Sequence, residues 1–324
     1  MSGMLIARAP LRVPLAGGLT DVKPYAERFG GVTLSATISL AARVTWLPSL
    51  DGRFEVVAEG RAESAASAAG VRNDLVRAAL TTFGEGLEPA RVGVWLDVAG
   101  NSGLGASGAI CTALVHAMLA ARGAAAEPAA VGAAAARLEV EELGGASGYH
   151  DANISARGGL RQLRYAGASV TDVPLGMTDA ARAAVVGSLM LFATGRTGLT
   201  GPSLATLVSR IDHALPVLHD IKAVAMRLAG ALAAGDLGTV AWCVGEQQRL
   251  KQRLPGDFVD ADVLALTARV AATGASAQVP GGKIGGYLLV CCPDGQQEEV
   301  RSVLAGLREV PLAFTTEGSG VVRF

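Results

Sequence analysis

The stretch Asp97-Val-Ala-Gly-Asn-Ser-Gly-Leu-Gly-Ala-Ser-Gly-Ala109 decides how this chain is read. The β-branched run 91–98 enters it, and the apolar run 109–121 leaves it. The order is therefore strand, glycine-rich loop, helix. In such a loop, successive backbone N–H groups and the helix N-terminus converge and favour an anion such as phosphate. Glycine tolerates the unusual dihedrals and lets a phosphate approach the main chain. Two better-known phosphate patterns match by spacing alone. Gly100-x4-Gly105-Ala106-Ser107 has the Walker A interval, but Ala106 stands where that loop needs lysine. Gly103-x-Gly105-x-x-Gly108 has the dinucleotide interval, but a Gly/Ala turn and a second helix follow Arg122 instead of a strand ending in an acid. A purely structural glycine turn is the plain alternative.

Residues 98–121 carry no Asp, Glu, Lys or Arg and are long enough to cross a bilayer. Glycine and serine crowd the first half of that run, so it reads as a buried helix with a polar entrance. The 324 residues are half apolar, enough for two ordinary domains with a substantial core. With 28 Lys+Arg against 29 Asp+Glu and no basic cluster, neither a nucleic acid nor an anionic membrane is an expected partner. Four cysteines in apolar runs read as buried thiols in a reducing cytoplasm, and adjacent Cys291 and Cys292 should face opposite sides of a strand. No secretory signal pattern opens the chain. The 42 glycines follow no period, so each cluster must be read locally.

Outward from the loop, the N-terminal part reads as strand-rich, with strands at 4–9, 32–40, 42–47, 54–58, 91–98, 160–165 and 187–193. Helices are expected over 73–83 and from Glu127-Pro128 to about Leu143. The C-terminal part opens with a helical period over 202–234 that Pro216 should kink or divide. Helices at 237–254 and 261–273, a strand at 287–292, a helix at 296–307 and short strands at 312–316 and 321–324 complete the reading. That order suggests an antiparallel sheet backed by helices, with a domain boundary near residue 180.

Two more glycine clusters flank the chain: Leu15-Ala-Gly-Gly-Leu-Thr-Asp21, just after Pro10-Leu11-Arg12, and Pro280-Gly-Gly-Lys-Ile-Gly-Gly-Tyr287. Each alone could be a tight turn. As an ordered set, residues 9–21, 100–108 and 280–287 resemble the three motifs of the GHMP kinases (galactokinase, homoserine kinase, mevalonate kinase, phosphomevalonate kinase). The resemblance covers nearly the whole chain. It is closest to sugar-1-kinases of the D-glycero-D-manno-heptose 7-phosphate kinase type, which share the shape of Pro24-Tyr25…Gly30-Gly31…Ala36-Thr37-Ile38-Ser39 and of Glu139-Val-Glu-Glu-Leu-Gly…Asp151…Gly158-Gly159.

The resemblance implies an α+β, two-lobed fold. Residues 1–180 would form a ribosomal protein S5 domain 2-like lobe and residues 181–324 a ferredoxin-like lobe. It implies an ATP- and Mg²⁺-dependent kinase acting on a sugar or sugar-phosphate hydroxyl, with C1 of a heptose 7-phosphate or octose 8-phosphate favoured. Antibiotic or cell-surface sugar biosynthesis is one expected setting, and a homodimer is compatible with the sequence. A kinase for a non-sugar alcohol and a non-catalytic ligand sensor are the rival readings.

By the same resemblance Asp151 stands at the position of the catalytic aspartate, orienting or deprotonating the acceptor hydroxyl, with Arg12 holding it or stabilising the transferring phosphoryl group. Gly100, Asn101, Ser102, Gly103, Leu104, Gly105, Ala106 and Ser107 would bind ATP. Ser107 and Glu139 would hold Mg²⁺ together with triphosphate oxygens. Gly17, Gly18, Thr20, Asp21, His150 and Lys283 would contact the acceptor. Departures from the pattern are His150 in place of glutamine, Asn101 and Gly108 in the central loop, and Pro280 and Lys283-Ile284 in the third.

Overall fold

The computed structural model describes residues 3–100, 102–144, 147–196, 200–258, 260–281 and 286–324. Asn101 and Lys283 therefore lie outside the described residues. From the N-terminus run β1 (Leu5–Ala16), α1 (Lys23–Phe29), β2 (Gly31–Pro48), β3 (Phe54–Ala58), β4 (Arg61–Ala65), α2 (Asp74–Phe83), β5 (Ala90–Leu96) and α3 (Ala106–Ala121). Then follow α4 (Pro128–Arg137), a π-helical turn (Leu138–Glu142), α5 (His150–Arg157), β6 (Leu160–Ala166), β7 (Ser169–Val173), α6 (Asp179–Ser188) and β8 (Leu189–Ala193). The remainder is α7 (Thr200–Ser209), α8 (Ile211–Ala234), α9 (Leu237–Lys251), α10 (Ala261–Ala271), β9 (Ser276–Gln278), β10 (Tyr287–Cys291), α11 (Gln297–Val303), β11 (Arg308–Val310) and β12 (Gly320–Arg323).

Among the described residues the strands form two sheets. The larger runs β12-β1-β2-β5-β3-β4, with β6 and β7 attached through β2. Its organiser is β2. One half pairs β6 through Gly31–Ala36 and the other pairs β5 through Ala42–Pro48. The sequence reading splits β2 in two, yet VTLSATISLAARVTW continues as one strand because both halves keep the same antiparallel partner, β1. β1 itself runs past Pro10 and Pro14 instead of stopping at Ala9. The prolines are accommodated by register irregularities between Pro10 and Arg12 and between Pro14 and Ala16, the places where a strand tolerates a missing N–H. Arg12 sits between them.

The smaller sheet is antiparallel in the order β11-β8-β10-β9. Numbered along the chain this is 4-1-3-2, with helices between the first and second strands and α11 between the third and fourth. That is the ferredoxin-like arrangement expected from the resemblance. Side chains alternate along its central strands. Leu189, Leu191, Leu289 and Cys291 join the large core, whereas Met190, Phe192, Leu288, Val290 and Cys292 join a smaller core with Val263 and Val270 of α10 and Val300 of α11. The opposite orientation of Cys291 and Cys292 follows from this two-residue period. All four cysteines are free and buried.

Helices α8 and α9 contribute Leu218, Ile221, Leu228, Val240 and Val244 to the same core as β1 and β2, so the two sheets share a packed boundary. The expected division at Pro216 does not occur. The helix breaks at Arg210, whose φ of −118° and ψ of 31° leave the helical region, and Pro216 lies within α8. Near a helix N-terminus a proline forfeits one hydrogen bond and meets a carbonyl of the freer first turn. The strand expected at 312–316 reduces to a single bridge between Ile38 and Phe314. Helices α1, α5 and α6 and strands β4 and β7 were not anticipated; each is short, and the exposed ones bury too few side chains to leave a period in the sequence. Among the described residues no helix is long and apolar enough to cross a membrane.

Candidate active site

A cavity of about 390 Å³ opens where β1, the first glycine loop, the N-terminus of α3, the π-helical turn, α5 and α9 meet. The central loop enters α3 through Gly105, which has a φ of 77° and caps the helix in the left-handed region. A side chain there would also be strained against Arg12 and Asp151, whose atoms lie 3.1–3.3 Å from the place of its Cβ. Gly108, one turn on, lets α5 close in: a Cβ would fall 2.6 Å from that of Asp151. Two glycines thus press Asp151 against the loop.

Asp151, the second residue of α5, is held by a fork. Arg12 Nε donates to Oδ1 at 2.8 Å and Nη2 donates to Oδ2 at 2.8 Å. Nη1 donates to the Gly103 carbonyl at 2.6 Å, and the Arg12 backbone N–H donates to the Leu104 carbonyl at 3.0 Å. One arginine therefore ties β1, the central loop and α5 together. His150 Nδ1 lies 3.1 Å from Asp151 Oδ1, and its Nε2 lies 2.6 Å from Ser35 Oγ. A proton on Nδ1 lets the ring donate to Asp151, while Nε2 meets the Ser35 hydroxyl. Burial would raise the Asp151 pKa, but the charge of Arg12 and the His150 and Arg12 hydrogen bonds outweigh it and hold the carboxyl well below the usual range.

On another wall, Glu139 is 4 % exposed, whereas its neighbours Glu141 and Glu142 face solvent. The π-helical turn produces this split, and such turns recur at functional sites. Glu139 Oε2 has no hydrogen-bond partner among the described residues. Burial and the Asp151 charge push its pKa up to about 8, against the pull of Ser107 and Arg12. Ser107, in the first turn of α3, is exposed and lines the cavity. An orphaned carboxylate oxygen beside a hydroxyl and a helix N-terminus fits a Mg²⁺ completed by phosphate oxygens and water. Among the described residues no cluster of three His, Cys, Asp or Glu forms a self-sufficient metal cage.

The structure brings Arg12, Gly18, Asp21, Ser102, Gly103, Gly105, Ala106, Ser107, Glu139, His150 and Asp151 to the cavity wall. Among the described residues four expected ones do not line the cavity. Thr20 is fully buried, with its hydroxyl spent on the Gly17 and Val32 carbonyls, so it shapes the first loop and does not face the cavity. Gly17 turns its N–H to Gln247 Oε1. Leu104 packs its side chain in the core, and Gly100 lies outside the cavity. His150 lines the wall, but both ring nitrogens are committed within the protein. Asp21 also lines it, with Oδ1 accepting from Leu19 N and Oδ2 from His150 N.

Sequence reasoning missed the floor of the cavity, which α9 and β9 supply. Gln247, Lys251 and Gln278 line it. Gln278 Nε2 donates to the Pro14 and Leu15 carbonyls at 2.9 Å. A signal was present: Val240, Val244, Gln247 and Lys251 fall on one helical stripe, so polar residues occupy inward positions of α9.

No family model matches the chain. Over 296 residues it is 25 % identical to the D-glycero-alpha-D-manno-heptose 7-phosphate kinase of Campylobacter jejuni, covering 87 % of both chains. Its structure superposes on that of a D-glycero-D-manno-heptose 1-phosphate kinase from Bacteriodes thetaiotaomicron with a TM-score of 0.78, 24 % identity and 99 % of both chains covered. By fold and by its three ordered motifs, the chain is similar to the GHMP kinases. A Streptococcus pneumoniae phosphomevalonate kinase bound to phosphomevalonate and AMPPNP shares the GHMP kinase fold at 14 % identity, with a TM-score of 0.74 over 96 % of this chain and 99 % of that one. The resemblance read from the three ordered motifs is therefore borne out.

Proposed function

We propose that this GHMP kinase transfers the γ-phosphoryl group of ATP to the anomeric hydroxyl of a sugar phosphate, such as a heptose 7-phosphate or an octose 8-phosphate. The observation that carries the proposal is the Arg12–Asp151 fork, set at the N-terminus of α3 within one cavity that also holds Ser107 and Glu139. The heptose phosphate kinase activities of the two similar proteins support the choice of acceptor.

In this reading the central loop and the N-terminus of α3 cradle the triphosphate, and Ser107 and Glu139 hold Mg²⁺, which neutralises phosphate charge. Asp151 accepts a hydrogen bond from the acceptor hydroxyl and aims its oxygen at the γ-phosphorus. The new O–P bond forms as the bond to the β-phosphate oxygen breaks, and ADP leaves. A carboxylate held so acidic by Arg12 is a weak base, so Asp151 acts first by orientation; the proton becomes acidic only as the O–P bond forms, and it then passes to Asp151 and on to solvent. A loose transition state asks for little more. The lobes 1–180 and 181–324, a cytoplasmic setting and a role in antibiotic or cell-surface sugar synthesis belong to the same proposal. The free, buried cysteines support the cytoplasmic setting.

The test is a panel of sugars, sugar phosphates and non-sugar alcohols incubated with ATP and Mg²⁺ and read by mass spectrometry. Gain of one phosphoryl group on a sugar phosphate is expected. Gain confined to non-sugar alcohols would overturn the choice of acceptor.

A further inference from the structure

Lys251 ends α9 on the cavity floor, 3 % exposed. Its Nζ donates to the Val279 carbonyl at 2.7 Å. Among the described residues it forms no ion pair, although the chain makes many others. Among the described residues the other long cation of the cavity is Arg12, which is already paired with Asp151. Burying an ammonium with neither counter-ion nor a full set of acceptors is costly. Burial and the nearby Arg12 charge accordingly bring the Lys251 pKa down to about 7. The Val279 carbonyl immediately precedes the 280–281 segment that lies against Gly103 of the central loop. Four residues before Lys251, Gln247 accepts from the first loop at Gly17 N. Lys251 thus stands between the loop assigned to the nucleotide and the loop assigned to the acceptor, with N–H donors to spare.

We propose that Lys251 binds a phosphate oxygen in this cavity, supplied either by the nucleotide or by a phosphorylated acceptor. The proposal rests on the kinase reading for the identity of its ligands, but not for the chemistry of the site. An incoming phosphate supplies the counter-charge that the fold withholds, and the lysine is then fully protonated. A neutral acceptor in the same place would leave it unpaired, so Lys251 also discriminates between phosphorylated and free sugars if the oxygen is the acceptor's.

The experiment is isothermal calorimetry on the full chain and on Lys251→Met, which keeps the stem and removes the charge; Lys251→Gln replaces it if the first variant fails to fold. Three probes are used: inorganic tripolyphosphate, AMPPNP with Mg²⁺, and D-glycero-D-manno-heptose 7-phosphate. Loss of a charge-assisted bond should weaken at least one of them by roughly 10- to 100-fold. Loss for AMPPNP assigns the oxygen to the nucleotide, and loss for the heptose phosphate assigns it to the acceptor. Lys251→Arg should restore part of the lost affinity. Thermal melting of the empty variant should not fall, because an unpaired buried cation has gone. Equal affinities in wild type and folded variant for every probe, or no binding of any probe to wild type, would overturn the proposal. Tripolyphosphate binding that depends on Lys251, without binding of AMPPNP or the heptose phosphate, would uphold it while removing the kinase reading.

Discussion

Two groups of charges share one cavity and are treated in opposite ways. Asp151 is held by Arg12 and His150, and His150 in turn is locked by Ser35. Glu139 and Lys251 are more deeply buried than Asp151, yet among the described residues Glu139 Oε2 has no partner and Lys251 Nζ has one carbonyl. The two do not pair with each other. Arg12 therefore keeps Asp151 charged and fixed against the pull of burial, while burial pushes Glu139 and Lys251 toward neutrality, with pKa values of about 8 and about 7. What the protein completes by itself sets geometry; what it leaves incomplete is set for a cation at Glu139 and an anion at Lys251.

The largest effect should come from breaking the completed cluster at its reacting member. Asp151→Asn keeps the shape and should lower turnover by about 10²–10⁴, the usual range for a positioned acid or base. AMPPNP affinity by calorimetry should change little. Arg12→Ala should cost nearly as much turnover and, by stranding a buried carboxylate, roughly 3 kcal/mol of stability in urea unfolding. An Arg12→Ala variant as stable as wild type would show that the fork holds nothing together.

The incomplete pair should respond to ligands and pH more than to packing. Ser107→Ala and Glu139→Gln should each raise the Mg²⁺ needed for half-maximal turnover. The double variant should show less than the summed effect, because both changes act on one ion. Identical Mg²⁺ titrations for all four proteins would remove the assignment. A smaller effect is expected in melting without Mg²⁺. The folded Glu139 pKa lies above its unfolded value, so the folded state binds the extra proton and stability is lost as pH rises from about 4.5 through about 8. Glu139→Gln should melt a few degrees above wild type at pH 9 and converge with it near pH 5. Asp151 has the opposite sign: its stabilisation is present above the ordinary carboxylate range and is lost on acidification below it.

The glycine-marked parts of the site were legible in the sequence. The 97–109 loop declares an anion site by its own residue types, and Arg12, Ser107, Glu139 and Asp151 are picked out through the resemblance that the ordered motifs carry. The cavity floor was not legible in the same way. Lys251 and Gln247 arrive on a helix more than 200 residues from the first loop; the stripe on α9 marks them as inward-facing, but only tertiary packing reveals that they face this cavity. The error at Thr20 has the same origin. A threonine beside an acid suits a sugar hydroxyl, but the burial that spends its hydroxyl on Gly17 and Val32 depends on how β2 folds back. The long strands failed for a related reason, since a partner strand can carry the chain through Pro10 and Pro14 where local propensity predicts a stop. The π-helical turn at Glu139 has no composition signal.

The most direct measurement is phosphorus NMR of D-glycero-D-manno-heptose 7-phosphate mixed with ATP, Mg²⁺ and the purified chain. We expect a second sugar phosphate resonance, coupled to the anomeric proton, to grow as ADP appears, and to be absent or severely slowed with folded Asp151→Asn. ADP formation without that resonance, or equal growth with the Asp151→Asn variant, would contradict the assignment of this cavity to anomeric phosphoryl transfer.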